Sequence, residues 1–408
     1  MRGSAVAGPP YGRAMRLLHT SDWHLGRTLH RADLGDAQAA FLAALVDVVR
    51  AERVVAVLVA GDVFDRAVPS VEAVGLYDEA LFRLSDTGAR VVVTSGNHDS
   101  ATRLGAGSRL ADRAGVHVRT RPQDVGRPVV LHDEHGDVAV YGLPYLEPEA
   151  VRAVLPPDPG GSTEEPRGHA GVLGRAMACV RADLVTRRAR SVVLAHAWVT
   201  GGTASDSERD ITVGGVGTVG AAVFDGVDYT ALGHLHGAQV LRPGLRYSGS
   251  PLAYSFSEAA QVKGSWLVEL DAHGLGAVVQ VPSPPARRLS AVRGSLDSLL
   301  LAPELDGHEA DWVSAVVTDA VRPEDAMQRL RGRFPHVLVL EWQPEGAVAD
   351  DRSYGARVAD RDDLEVAAEF VRHVRGGGSS SQAGAADEAE RALLRQALEA
   401  GRLAAASG

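Results

Sequence analysis

Apolar and polar positions alternate along this chain in two different periods. Short apolar runs of the kind that form buried strands are interleaved with stretches whose apolar positions recur every third or fourth residue, the period of an amphipathic helix. Arg16–Leu18 reads as a strand, Asp36–Arg50 as a helix, Val54–Val59 as a strand, Val71–Leu84 as a helix and Val91–Thr94 as a third strand. This β-α-β rhythm builds a sheet covered by helices. Strands at Val129–Leu131 and Val138–Gly142 follow, joined by a turn at His135-Gly136-Asp137. A Pro/Gly-rich loop over 156–168 then leads to a helix near Gly171–Arg188. Further strands are predicted at Val192–Leu194, Tyr229–Leu232, Trp266–Leu270 and Val278–Val281, with a hairpin of Val240–Leu241 and Arg246–Ser248 around Pro243-Gly244. So many strands before residue 285 imply two sheets in the first domain.

The run Pro282-Ser283-Pro284-Pro285 resists helix and strand alike and marks a boundary. Beyond it, Val313–Thr318, a helix over Pro323–Phe334 and Val337–Trp342 compose a small α+β unit, followed by a polar loop over Glu345–Gly355. Asp362–Arg375 places Leu364, Ala367, Val371 and Val374 at coiled-coil-like spacing with Phe370 beside them, and Asp387–Ala400 places Leu394 and Leu398 one turn apart. The glycine/serine run Gly376–Gly384 between these helices is a linker. Tethered amphipathic helices must bury their apolar faces, on the body of the protein or on a partner. The expected organisation is a disordered extension at 1–14, a main domain at 15–285, a small domain at 286–345, and linker and helices at 346–408.

Composition narrows the classes. A chain of 408 residues with 45% apolar content fits two or three globular domains. The single cysteine, Cys179, excludes an intramolecular disulfide and a cysteine-built zinc site, and fits a reducing cytoplasm. No stretch approaches the ~20 apolar residues of a membrane span. The segment Met1–Ala14 lacks the apolar centre of a secretory signal, and Met15 is an alternative start. A formal net charge of −10 argues against a large nucleic-acid footprint. It leaves room for a metal-centred nuclease, because bound dications supply local positive charge. Lys263 is the only lysine beside many arginines; with the alanine and glycine richness, that usage reads as a G+C-rich genome.

The candidate chemistry lies in five clusters, most of them just after a predicted strand: Thr20-Ser21-Asp22-Trp23-His24, Gly61-Asp62-Val63-Phe64-Asp65, Gly96-Asn97-His98-Asp99, Ala195-His196 and Gly233-His234-Leu235-His236. Sites in open α/β sheets collect at the carboxyl ends of strands, so all five clusters can converge. Imidazole and carboxylate together suit manganese, iron or zinc better than magnesium alone. Asp-x-His and His-x-His put both donors on one side of an extended segment. Gly61, Gly96 and Gly233 let tight turns pass beside the metals. Each cluster taken alone is as well explained by a turn or a packed histidine; the ordered set at strand ends is not.

That ordered set resembles the calcineurin-like metallophosphoesterase superfamily. Within it, Thr20–Arg27 (TSDWHLGR), Asp62–Ser70 (DVFDRAVPS), Gly96–Ser100 (GNHDS), Ser207–Gly217 (SERDITVGGVG), Asp228–Gly237 (DYTALGHLHG) and Tyr247–Ala259 (YSGSPLAYSFSEA) are similar to the branch of bacterial DNA-repair nucleases that act with an SbcC-type, SMC-like ATPase. The resemblance is strong over 15–285 and weaker over 286–345, where those proteins carry a capping domain. It implies an α/β fold, a four-layer sandwich of two sheets flanked by helices, with a small α+β capping domain and C-terminal partner-binding helices. It implies two divalent ions, Mn²⁺ first, with Mg²⁺ or Fe²⁺ as alternatives. Asp22, His24, Asp62 and His236 would hold one ion; Asp62 would bridge and, with Asn97, His196 and His234, hold the other. His98 would be no ligand but would stabilise the transition state or protonate the leaving oxygen, a role open to an imidazolium. DNA, the ATPase, a homodimer within a heterotetramer, and a cytoplasmic, nucleoid-associated location complete the expectation.

Other residues read more plainly. His19 is expected to be packed, Asp65 and Asp99 to support ligands, and His30, His117, His132 and His135 to lie on the surface. Cys179 is expected in the core. Arg27, Arg31 and Arg103 are candidates for phosphate contact. Two rival functions stand beside the nuclease: a cyclic-nucleotide or other small-molecule phosphodiesterase or a protein phosphatase on the same fold, and a scaffolding subunit of an ATPase complex.

Overall fold

The computed structural model describes residues 14–208, 217–284, 286–345, 361–374 and 385–406. The expected extension up to residue 13, most of Ser207–Gly217, the segment after Glu345 and the Gly376–Gly384 linker lie outside these residues. Two compact units divide the chain, Met1–Ala286 and Arg287–Gly408.

In the first unit, one six-stranded sheet is built on β1 (Met15–Thr20), β2 (Ala56–Ala60), β3 (Arg90–Thr94) and β4 (Val116–Arg119), which run parallel in that order. A second sheet holds β5 (Val129–Asp133), β6 (Gly136–Gly142), β7 (Arg190–His196), β8 (Tyr229–Gly233), β9 (Gln239–Arg242) and β10 (Leu245–Tyr247), in the order β9-β10-β8-β7-β6-β5. Its centre, β6-β7-β8-β10, is parallel, and its two outer strands are antiparallel. The antiparallel pair β11 (Gly264–Asp271) and β12 (Gly274–Pro282) returns to the first sheet beside β1.

Period-two alternation sorts the strand residues. Leu17, Leu58 and Val92 face Val140, Val192, Leu194 and Tyr229 between the sheets. Leu18, Val57, Val59, Val91 and Val93 point outward onto helices α1 (Gly35–Glu52) and α2 (Val71–Asp86). Ala139, Tyr141, Val193 and Ala195 point the opposite way onto α3 (Gly168–Arg187). Strands buried on both faces read as continuous apolar runs. The result is the four-layer helix–sheet–sheet–helix sandwich. Helix α2 starts where Ser70 Oγ accepts the Ala73 N–H at 3.2 Å, an N-cap bond that satisfies one of the helix's unpaired donors.

The second unit contains a parallel three-stranded sheet of β13 (Leu289–Gly294), β14 (Trp312–Val317) and β15 (Val337–Trp342). Helices α4 (Leu296–Leu301) and α5 (Ala326–Arg333) close a core of Val292, Leu299, Val313, Ala315, Leu330 and Phe334. Helices α6 (Asp363–Val374) and α7 (Glu388–Ala406) pack on each other, with an Arg402–Asp363 ion pair between them. Phe370, Val374 and Leu393 stay exposed. No helix among the described residues is long and apolar enough to cross a membrane.

Candidate metal centre

The five clusters meet at one end of the sandwich. Asp22 and His24 follow β1, Asp62 follows β2, and Asn97 and His98 follow β3; His196 ends β7, and His234 and His236 follow β8. All the strands concerned are parallel within their sheets, so their carboxyl ends lie together. One sheet delivers the carboxylates, the amide, His24 and His98. The other delivers the remaining three imidazoles.

The backbone is bent sharply to do this. Asp22, His24, Asp62 and His234 have φ of 53°, 44°, 51° and 107°. Non-glycine residues held there cost about 1–3 kcal/mol each and persist where the surroundings over-determine them. Those surroundings are visible. Asp22 N–H donates to the Gly61 carbonyl and His24 N–H to the Asp62 carbonyl, both at 3.0 Å. The Asp22 carboxylate accepts the His234 N–H at 3.0 and 3.1 Å, tying the β1 loop to the β8 loop. Asp99 accepts the N–H groups of Val63 (3.1 Å), Phe64 (2.9 Å) and Gly96 (2.9 Å), tying the β2 loop to the β3 loop. A Cβ on Gly96 would collide with the Asp62 carboxylate, and one on Gly233 with the Ala60 carbonyl.

Asp22, His24, Asp62, His196, His234 and His236 are all buried. His24 Nε2 and His236 Nε2 face each other at 3.1 Å. Asp62 Oδ2 lies 3.6 Å from His24 Nε2 and 3.4 Å from His196 Nε2. Asn97 Oδ1 lies 2.9 Å from His196 Nε2 and 3.1 Å from His234 Nδ1. His196 Nδ1 donates to the Ala60 carbonyl at 3.0 Å, which fixes that ring's other nitrogen toward Asp62 and Asn97.

The electrostatics of the cluster are set by burial and by the charges its members place on one another. Burial drives His24 well below its ordinary value and, with the neighbouring His196, takes His234 down to about 3. Burial also raises Asp22 to about 6. His196 goes the other way: burial opposes its charge, but the Asp62 carboxylate raises it to about 9, and His196 in turn holds Asp62 well below the usual carboxylate range despite burial. Burial and the Asp62 charge raise Asp99 to about 7. His24 Nδ1, His234 Nε2 and the Asn97 amide nitrogen are buried without a hydrogen-bond partner. Orphaned imidazole nitrogens around carboxylates and an amide oxygen fit transition-metal dications. Asp22, His24 and His236 bring their donor atoms within 4.8 Å of one another, as do Asp22, Asp62 and His196.

His98 is half-buried, with its ring edge-on to His24 at 4.7 Å between centroids and a ring nitrogen within 4.8 Å of donor atoms of His24 and Asp62. It lines an open cleft of about 550 Å³ with Arg27, Asp65, Arg66, Asn97 and Asp99. The remaining residues are placed as follows. Buried His19 uses both ring nitrogens, on Tyr229 Oη (2.9 Å) and the Leu232 carbonyl (3.1 Å), and burial lowers it to about 3. Asp65 comes within 3.7 Å of His24 Nδ1. His30 and His132 are exposed, but His117 and His135 are half-buried, and His117 pairs with Asp112 at 2.7 Å. Cys179 lies on the buried face of α3, in the core. Arg27 donates to the Ser207 carbonyl at 2.7 Å and stacks 5.0 Å from the Tyr254 ring centre; Arg103 donates to the Ala67 carbonyl at 3.1 Å; Arg31 is exposed. Two charged residues given no role at the site by the sequence analysis stand behind His236: Glu258, 3.4 Å from its Nδ1, and Lys263, 2.8 Å from its carbonyl.

This chain belongs to the calcineurin-like phosphoesterases, whose family model matches residues 15–238. A second family model, described as the type 5 capsule protein repressor C-terminal domain, matches residues 285–375. The chain is similar to the SbcD component of nuclease SbcCD from Staphylococcus saprophyticus, 28% identical over 328 residues that span 80% of this chain and 84% of that protein. Among solved structures it is similar to a dimetal phosphatase from Danio rerio, 14% identical, over 67% of this chain and 100% of that one, with a TM-score of 0.39. It is also similar to a protein of Thermus thermophilus, 13% identical, over 65% and 99%, with a TM-score of 0.36.

Proposed function

We propose that this chain is the nuclease subunit of a two-component DNA-processing enzyme, a metal-dependent phosphodiesterase that cuts the DNA backbone and works with an SbcC-type, SMC-like ATPase. The observation that carries the reading is the place of Asp62. Its Oδ2 stands 3.6 Å from His24 Nε2 and 3.4 Å from His196 Nε2, between a donor set of Asp22, His24 and His236 and another of Asn97, His196 and His234. Those seven residues would hold two cations, with Asp62 shared. Four imidazoles in the set favour Mn²⁺ over Mg²⁺. Two such ions supply Lewis acidity toward a phosphodiester and lower the pKa of a water.

The chain's own residues do the rest. Asp99 and Asp22 hold the loops in register through backbone N–H groups, so the ligands need no reorganisation. His98 donates its Nδ1–H to the Asp65 carbonyl at 2.8 Å, so that as an imidazolium it would keep that bond and deliver the Nε2 proton to the leaving oxygen. Arg27 and Arg66 on the cleft wall add positive charge beside the phosphate path.

Similarity to the SbcD component of nuclease SbcCD over most of that protein's length supports the complex, and a small-molecule phosphodiesterase would leave the matched C-terminal domain unexplained. In this reading residues 286–345 cap the DNA. The exposed Phe370, Val374 and Leu393 on the helices of 346–408 meet the ATPase. The working form is a homodimer within a heterotetramer, in the cytoplasm at the nucleoid. Cleavage of labelled linear DNA with Mn²⁺ tests the reading. Cutting by the wild type that disappears in His98→Ala with metal content retained supports it. Turnover of bis-p-nitrophenyl phosphate without DNA cutting, even with the ATPase partner and ATP, would refute DNA as substrate.

A further inference from the structure

The chain carries 42 basic residues, of which one, Lys263, is a lysine, and it is not on the surface. Its side chain is 10% exposed, and Nζ faces four acceptors: Glu258 Oε2 at 2.5 Å, the His236 carbonyl at 2.8 Å, Gln261 Oε1 at 2.8 Å and Ser250 Oγ at 2.9 Å. Acceptors gathered around one point suit a compact ammonium, not the flat fork of a guanidinium. Glu258, whose side chain is fully buried, uses its other oxygen differently. Oε1 accepts the hydroxyl of Ser207, that of Ser205 at 3.0 Å, and lies 3.4 Å from His236 Nδ1. Ser207 Oγ is itself 2.5 Å from His236 Nδ1.

The directions of these bonds are determined. A carboxylate only accepts, so the Ser207 hydroxyl gives its proton to Glu258 and offers its lone pair to His236. His236 must therefore carry its proton on Nδ1, which leaves the Nε2 lone pair aimed at His24 Nε2 and Asp22. Lys263 fixes the far oxygen of Glu258 and, through the His236 carbonyl, the backbone of the ligand itself. Glu208 adds a third hold by accepting the His236 N–H at 2.7 Å.

We propose that Glu258 and Lys263 are a positioning pair which, through Ser207, locks His236 in the Nδ1–H tautomer and so prepares the cation site it shares with Asp22 and His24. Neither residue reaches the reacting atoms. The proposal rests on the two-cation reading above. Glu258→Gln exposes it, because the single amide oxygen is drawn to Lys263 and the NH₂ turns on Ser207. The Ser207 hydroxyl then donates to His236 Nδ1, and the ring proton moves to Nε2, where a cation must bind. Loss of such outer partners lowers metal affinity by about 10–100-fold.

The experiment pairs Mn²⁺ titration calorimetry with ¹H–¹⁵N correlation spectra of histidine-labelled, metal-free full chain, with His236→Gln identifying the ring. The expected result is an Nδ1–H ring and two Mn²⁺ sites in the wild type. Glu258→Gln then shows an Nε2–H ring, one site weakened about 10–100-fold and the other retained. Ser207→Val, which leaves the buried ion pair intact, removes the same single site and decides the matter should Glu258→Gln fail to fold. Retention of both affinities and of the tautomer in Glu258→Gln and Ser207→Val would overturn the proposal. So would equal loss of both sites with a lowered melting temperature, the mark of a general structural role. A wild-type chain that binds no Mn²⁺ would instead refute the two-cation reading on which the proposal stands.

Discussion

The ring of His98 donates from Nδ1 to the carbonyl oxygen of Asp65 at 2.8 Å, which commits that nitrogen to the backbone and sets the direction of Nε2. His98 N–H also donates to Asp62 Oδ1 at 2.9 Å, which couples its position to the Asp62 carboxylate. His98→Ala keeps that backbone bond and loses only the imidazole. DNA cleavage is expected to fall by about 10²–10⁴-fold, the usual contribution of a positioned acid or base. Mn²⁺ stoichiometry by elemental analysis is expected to be unchanged; metal loss in this variant would make His98 a ligand.

Gly96 presses on Asp62 from the neighbouring loop, and its missing side chain is what allows the contact. Gly96→Ala is expected to cost about 1–3 kcal/mol, as overpacking does. The strain falls on the carboxylate between the two donor sets. Both Mn²⁺ affinities should therefore fall, whereas Gly75→Ala on α2, where a Cβ meets open space, should leave them intact. Calorimetric titration of the two variants side by side distinguishes the outcomes.

In the two-cation reading, His196 and a cation would compete for one nitrogen. The Asp62 carboxylate, against burial, keeps His196 protonated up to about pH 9, so loading the site must expel that proton. Mn²⁺ affinity is expected to rise as pH climbs toward 9 and proton release to accompany binding. Titrations in buffers of different ionisation enthalpy measure that release. Loading should also stabilise the fold, by about 2.7 kcal/mol when Mn²⁺ reaches a hundredfold over its dissociation constant, with EDTA reversing the gain in melting temperature.

Arg190, nearly buried at the start of β7, donates to Asp133 at 3.0 Å and also binds the Gly136 and Asp271 carbonyls. It clasps the β5–β6 turn to the first sheet's β11. Burial alone would raise Asp133, but the Arg190 guanidinium holds its carboxyl below the ordinary value. A depressed carboxylate stabilises the fold above its unfolded pKa of ~3.9 and loses that contribution as pH falls through its lower folded value. Asp133→Asn is expected to cost about 1.5–3 kcal/mol at pH 7, the worth of a charged hydrogen bond, and progressively less in acid. Urea unfolding of both proteins at pH 7 and in acid provides the check.

The convergence of the candidate donors was legible because they are short motifs at strand ends, and most strands and helices because their apolar periods are long. Where the period is short, the sequence alone misled. Val116–Arg119 alternates over only four residues, with His117 and Arg119 engaged by Asp112, and the sequence reading passed over it. Leu289–Gly294 and Leu296–Leu301 went unread for a similar reason: each is brief, and their burial depends on β14 and α5. The turn assigned to His135-Gly136-Asp137 falls one residue earlier, since Gly136 already pairs with Asp133 as strand. Glu258 and Lys263 belong to no ligand motif. The isolated lysine was the available clue, and reading it as codon usage concealed it.

The seven candidate ligands divide between the two sheets, four from the loops of β1, β2 and β3 and three from those of β7 and β8. Neither sheet carries a complete set. Occupancy of the centre is therefore a gauge of how the halves of the sandwich are seated on each other. A chain severed in the exposed loop over 157–167 would yield two metal-incompetent pieces whose reassociation is announced by the return of metal binding.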